Sequence, residues 1–101
     1  MQVNVISDDG VMTLKLQGRF DFNAHRDFRA GIDLIAKESS GNQIQVDLQD
    51  VDYIDSSALG MLLMFRDKAM AEHKTVSLTH CRGSIRQVLD IANFGKLFVI
   101  T

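Results

Sequence analysis

Proline is absent from the 101 residues, where average usage of about 5% would supply about five. Glycine, serine and asparagine must therefore punctuate the elements. Cysteine is nearly absent too. The one thiol, Cys81, excludes an internal disulfide, and no Cys-x-x-Cys or His/Cys cluster stands at metal-ligand spacing, so a reducing, cytoplasmic setting without metal or cofactor is expected. No apolar run approaches the roughly 18 residues that span a bilayer, and Met1 to Gly10 lack the basic start and apolar core of a signal peptide. Membrane insertion is not expected. A dominant charge is missing as well: 13 acidic against 11 basic side chains give a net charge of −2, with no overall positive field to attract nucleic acid or an anionic membrane. Protein partners are the expectation.

A chain of this length predicts one domain over residues 1–101, able to bury roughly two thirds of its unfolded surface. Apolar and polar residues alternate from Val3 to Ile6 and from Val11 to Leu16, with the turn signal Ser7-Asp8-Asp9-Gly10 between them, which predicts an opening hairpin whose second strand ends at Gly18. Ala24, Phe28, Ile32, Ile35 and Ala36 fall at helical spacing, with Asn23 as N-cap, giving a first helix to about Lys37; Ser39 to Asn42 breaks it. Ile44, Val46 and Leu48 alternate as a third strand, followed by a loop from Asp50 to Ser56. A second helix is predicted from Ser57 to His73 and a fourth strand around Val76, Leu78 and His80. A short helix through Ile85, Val88, Leu89 and Ile91 and a last strand from Leu97 to Ile100 complete the chain. The order ββαβαβαβ implies an α/β fold with a mixed, mostly parallel sheet, its hairpin adding one antiparallel edge. Chemistry in such sheets gathers at the carboxyl ends of strands, where the Asp50–Ser56 segment lies.

That segment holds Asp50, Asp52 and Asp55, then Ser56 and Ser57, then a helix opening Ala58-Leu59-Gly60-Met61-Leu62-Leu63-Met64-Phe65. A serine after a loop is a preferred N-cap, and capping alone needs no function. One cap suffices, however, and a second serine in the first turn gains nothing from it. The following helix is also apolar nearly all round, more than one stripe of about 100° can bury. Its surface must be covered on several sides or left exposed as a docking site, for which Met61 and Met64 are the candidates.

The run Val46-Asp47-Leu48-Gln49-Asp50-Val51-Asp52-Tyr53-Ile54-Asp55-Ser56-Ser57-Ala58-Leu59-Gly60 resembles the signature of STAS domains, specifically the bacterial anti-sigma factor antagonists of the SpoIIAA type. Gly18-Arg19-Phe20-Asp21 resembles a second landmark of that family. The resemblance extends over nearly the whole chain and implies a STAS fold. It also implies that Ser56 is phosphorylated by a partner that is both anti-sigma factor and serine kinase, and dephosphorylated by a PP2C-type phosphatase. The unphosphorylated form would bind the partner and the phosphorylated form release it, with Asp21 beside the acceptor and Asp52, Asp55 and Ser57 in support. Ala58 departs from the glycine common in the family; alanine is the better helix former by up to ~1 kcal/mol and leaves the hydroxyls in place.

Other residues carry less. His25, His73 and His80 form no metal motif and are expected to be solvated or capping. Cys81 is expected at the end of the fourth strand, partly buried. Arg19, Arg26 and Arg29 are expected as a basic, solvated face on the first helix. An enzyme using Ser56 as nucleophile would need an activating base, and neither a Gly-x-Ser-x-Gly elbow nor a phosphate-cradling Gly-x-x-x-x-Gly-Lys-[Ser/Thr] loop is present, so no enzymatic activity is expected. The stronger alternative is a non-switching STAS module, such as a lipid-transport ABC subunit or a stressosome-like scaffold component.

Overall fold

The computed structural model describes residues 1–38 and 41–101. Five strands, β1 (Gln2–Asp8), β2 (Val11–Phe20), β3 (Gln43–Ile54), β4 (Thr75–Thr79) and β5 (Val99–Ile100), lie side by side in that order in one sheet. β1 and β2 are antiparallel, and every later pair is parallel. The parallel strands are joined through α1 (His25–Glu38), α2 (Ser56–Ala71) and α3 (Gly83–Ile91), as the alternation of strand and helix patterns requires.

The hairpin closes tightly because Asp9 and Gly10 both take positive φ, 50° and 79°, the conformation of a two-residue turn matched to strand twist. The turn is shorter than the four-residue signal predicts; Ser7 and Asp8 stay in the ladder opposite Met12 and Val11. Gly18 also has positive φ, 102°, yet it does not end β2: the ladder continues through Gly18 opposite Val51 to Phe20 opposite Ile54.

The largest departure from the sequence pattern lies in β3. Its predicted alternation stops at Leu48, but the strand runs on to Ile54, so Asp50 to Ile54 are strand and not loop. Two register shifts explain this. Lys15 faces Asp47 while Gln17 faces Asp50, and Gly18 faces Val51 while Arg19 faces Tyr53. Each shift places one extra residue in β3, as β-bulges do, and resets which side chains point inward. The buried residues consequently run Leu48, Val51, Ile54, a spacing of three that hides a strand from a period-2 reading.

Helix boundaries shift by smaller amounts. Asp21, not Asn23, caps the first helical segment: its Oδ1 accepts from the Asn23 backbone N–H at 2.9 Å, and a 3₁₀ turn, Phe22–Ala24, precedes α1. The predicted break at Ser39 and Ser40 lies outside the described residues. β4 stops at Thr79, because His80 takes a φ of 57°, and a 3₁₀ turn from Phe94 to Lys96 leaves only Val99 and Ile100 in β5.

The core sits between the sheet and its helices. Phe20 of β2 meets Phe28 of α1 at 5.0 Å between ring centres, and Phe28 meets Phe65 of α2 edge-on at 5.9 Å, which locks strand and both helices together. Most of the apolar surface of α2 is spent here: Ala58, Met61, Leu62, Phe65 and Ala69 are buried. Arg66 of the same helix donates to the Leu97 carbonyl at 2.7 Å, tying α2 to the approach to β5.

Two glycines on helices have opposite reasons. A Cβ at Gly31 of α1 would stand 2.6 Å from Val3 Cγ1 and 2.7 Å from Leu14 Cδ1, whereas one at Gly60 of α2 would meet nothing within 4 Å. Gly31→Ala is expected to lower unfolding free energy by about 1–2 kcal/mol, overpacking outweighing the helix-propensity gain. Gly60→Ala should raise it by about 0.5–1 kcal/mol. Urea unfolding of both variants checks the pair, and a stabilised Gly31→Ala would overturn the account of α1 against β1.

Candidate functional site

The sheet delivers β2 and β3 side by side to the head of α2, and one carboxylate joins them there. Asp55 follows β3 directly, and its backbone N–H donates to the Phe20 carbonyl at 3.3 Å, extending the β2–β3 ladder by one bond. Its side chain then acts twice. Oδ1 accepts from the Ala58 N–H at 2.9 Å, making Asp55 the N-cap of α2, while Oδ2 accepts from the Phe22 N–H at 3.3 Å. The turn after β2 is thereby fixed to the start of the helix.

This arrangement decides the role of the serines. Capping belongs to Asp55, so the helix starts at Ser56, one residue earlier than predicted, and Ser56 is its first residue and exposed. Among the described residues its hydroxyl has no hydrogen-bond partner. Ser57 is half-buried in the first turn. The backbone N–H groups of Ser56 and Ser57 belong to the helix end that has no intrahelical acceptors, where the helix dipole favours an anion. The site can therefore carry added negative charge on Ser56 without unfolding α2.

The structure brings some of the predicted residues together and separates others. Asp21 precedes the tethered Phe22, is half-buried, and receives Arg19 at 3.5 Å. It stands at the same junction as Asp55 and Ser56. Asp52, the extra residue of the second bulge, is exposed and lines a cleft between β3 and the start of α3 with Asp50 and Arg82. No hydrogen bond among the described residues links it to the junction. Met64 is 64% exposed, but Met61 is only 6% exposed and belongs to the core, because the face of α2 carrying it looks toward Phe28 and Ile32. Met61 is thus not exposed docking surface.

Arg19 is not on the first helix. It is the penultimate residue of β2, opposite Tyr53, and its guanidinium lies 4.0 Å from the centre of the Tyr53 ring. Arg26 and Arg29 are exposed on α1. His73 follows α2 with a φ of 61°, a helix-ending position, and His80 Nδ1 lies 3.1 Å from Oδ1 of Asp47, the one buried charged residue among those described. No group of three or more His, Cys, Asp or Glu residues among those described could hold a metal ion. Burial pushes the Cys81 thiol up to about 11, which leaves little thiolate at neutral pH.

Two features of the site escaped the sequence. Phe22 is 71% exposed although large and apolar, and its signal was only an aromatic residue between an aspartate and an asparagine. Gly60, one turn below Ser56 on the same side of α2, faces open space that the fold does not require. The junction therefore presents an exposed ring, a free hydroxyl and a bare stretch of helix together.

A family model described as "Mlab, STAS domain" matches residues 3–100. The chain belongs to the STAS family. A STAS-domain containing protein from Pseudomonas aeruginosa is 44% identical over 95 residues, spanning 94% of this chain and 92% of its own length. The phosphorylated form of SpoIIAA, the Bacillus cell fate determinant, superposes with a TM-score of 0.71 at 18% identity, covering 98% of this chain and 90% of that one. A sulfate transporter family protein from Wolinella succinogenes reaches a TM-score of 0.77 at 17% identity, covering 94% and 80%. At such identities the structural likeness speaks for the STAS fold alone. The five-stranded mixed sheet with three helices is that fold.

Within this STAS domain the Asp55 carboxylate should be worth more than an ordinary cap, since it also holds the Phe22 N–H. Asp55→Ala is expected to cost about 1–2 kcal/mol, with Asp55→Ser recovering part of it through the cap alone. Chemical denaturation of the two variants measures this, and an Asp55→Ala protein as stable as the wild type would contradict the tether.

Proposed function

We propose that this STAS domain is a phosphorylation-controlled protein-binding switch of the anti-sigma factor antagonist kind. Unphosphorylated, it sequesters a partner that is both anti-sigma factor and serine kinase; phosphorylated on Ser56, it releases that partner, and a PP2C-type phosphatase restores binding. The observation that carries the reading is the division of labour between Asp55 and Ser56. A carboxylate performs the cap, so the neighbouring hydroxyl has no structural task and stands exposed on a rigid helix end. SpoIIAA, an anti-sigma factor antagonist with the same fold, has been solved in unphosphorylated and phosphorylated forms, which fits the same chemistry.

The energetics follow from where the phosphate would lie. A phosphoserine carries about −1.5 to −2 charges at pH 7, and the helix end offsets part of this by roughly 0.3–2 kcal/mol. Asp21 and Asp55 at the junction oppose it, so the fold is nearly indifferent. A bound partner is not. Burying a dianion against a surface shaped for a neutral hydroxyl, beside two carboxylates, costs several kcal/mol, and each 1.4 kcal/mol is tenfold in affinity.

A second reading is a non-switching STAS module within a transport or scaffold complex. It is favoured by the "Mlab" description of the matching family model and by the transporter-family neighbour. Incubation of the purified domain with native-cell lysate and ATP, followed by intact-mass measurement, separates the two: the switch gains one phosphate on Ser56, the module gains none. With a captured partner, Ser56→Ala should keep wild-type affinity, whereas Ser56→Asp should lose on the order of a hundredfold. Equal affinity of Ser56→Asp and wild type, or phosphate on Ser57 alone, sinks the mechanism.

A further inference from the structure

A groove runs between α1 and α2, floored by Phe28, Ile32, Met61 and Phe65. Its rim carries Met64 and three basic side chains, His25, Arg29 and Lys68, with no acidic residue in the lining. That is a local reversal in a chain of net charge −2. Elsewhere Lys15 pairs with Asp50, Arg19 with Asp21, Arg66 with Asp67 and Arg86 with Asp90. Other cations such as Arg26 and Lys96 are unpaired among the described residues but do not line an apolar groove with a second cation and no acid. Arg29 and Lys68 have no ion-pair partner among the described residues. The exposed thioether of Met64 stands at the edge of the same groove, a side chain that adapts to varied apolar surfaces.

We infer that this groove docks an amphipathic helix with acidic flanks, presented by a protein partner. A helix laid along it would place apolar residues at i, i+3 or i+4 and i+7 over Ile32 and Met64, above the buried floor that Met61 and Phe65 form. Its flanking carboxylates would meet Arg29 and Lys68, pairs at a solvated rim that set orientation and encounter rate more than affinity. A second copy of this chain seated groove to groove is disfavoured, because the unpaired cations of both rims would face each other. The inference rests on the switch reading in one respect. The groove lies beside the helix that Ser56 begins, Met64 standing about 12 Å further along its axis at 1.5 Å per residue, so an acidic helix reaching the head of α2 meets any phosphate there.

The test uses the purified chain and a synthetic helical peptide carrying leucine at i, i+4 and i+7 with glutamates on its flanks. A matched peptide has lysine at every glutamate position. In an NMR titration at low salt the acidic peptide is expected to bind with shifts confined to α1 and α2. Affinity should fall at least about fivefold in Arg29→Glu/Lys68→Glu, whose exposed sites leave the fold intact, and fall again as salt rises. Equal binding of the two peptides, no binding of the acidic one, or shifts elsewhere on the domain overturns the assignment. So does concentration-dependent self-association abolished by Met64→Glu, which would give the groove to a second copy. Ser56→Asp is expected to weaken the acidic peptide as well. If it does not, the coupling to Ser56 is refuted while the groove's preference for acid stands, and failure of phosphorylation in lysate leaves the peptide result untouched.

Discussion

Everything at the head of α2 depends on one carboxylate with two acceptor oxygens. Asp55 spends one on the first turn of α2 and the other on the Phe22 N–H. A serine cap has one oxygen and could satisfy only the first. Because both bonds originate from a residue that also extends the β2–β3 ladder, the carboxyl ends of β2 and β3, the turn after β2 and the helix start become one rigid corner. Ser56 inherits its exposure and its orientation from that corner.

The charge pattern follows the same economy. Arg19 is held between the Asp21 carboxylate and the face of Tyr53, so this cation at the junction is already engaged. A negative charge arriving at Ser56 would be met by the N–H groups of the helix end and by the Asp21 and Asp55 carboxylates. Tolerance of such a charge would thereby be a property of the backbone at the helix end. Arg29 and Lys68, both unpaired among the described residues, lie further along on the α1–α2 rim, and Arg26, also unpaired, stands beside Phe22.

The architecture was largely legible in the sequence because strands and helices here keep clean periods: Val11 to Leu16 alternates, and Ala24 to Ala36 repeats at helical spacing. The pattern misleads where the backbone departs from those periods. Two bulges turned the inward spacing of β3 from two to three residues, so Asp50 to Ile54 looked like loop. The serines drew attention as caps because hydroxyls and carboxylates are equally good acceptors locally; only the tertiary bond to Phe22 favours Asp55. Met61 and Met64 looked alike in a helix apolar on all sides, and packing against Phe28 and Ile32 separated them. Phe22 and Gly60 could not be found from pattern, since exposure of a ring and emptiness beside a glycine are properties of the assembled surface.

The strand order has a consequence for how the domain comes into being. Each strand pairs with its neighbour in sequence, from β1 through β5, so every new segment leaving the ribosome can add to an edge that already exists, without waiting for distant chain. The order keeps every closure between neighbouring elements, yet each parallel pairing still closes about 32 residues, Leu14 to Val46 and Val46 to Leu78, a separation that slows folding. It also means that the corner around Asp55 can form once α2 has emerged, before the chain's last strand has been made.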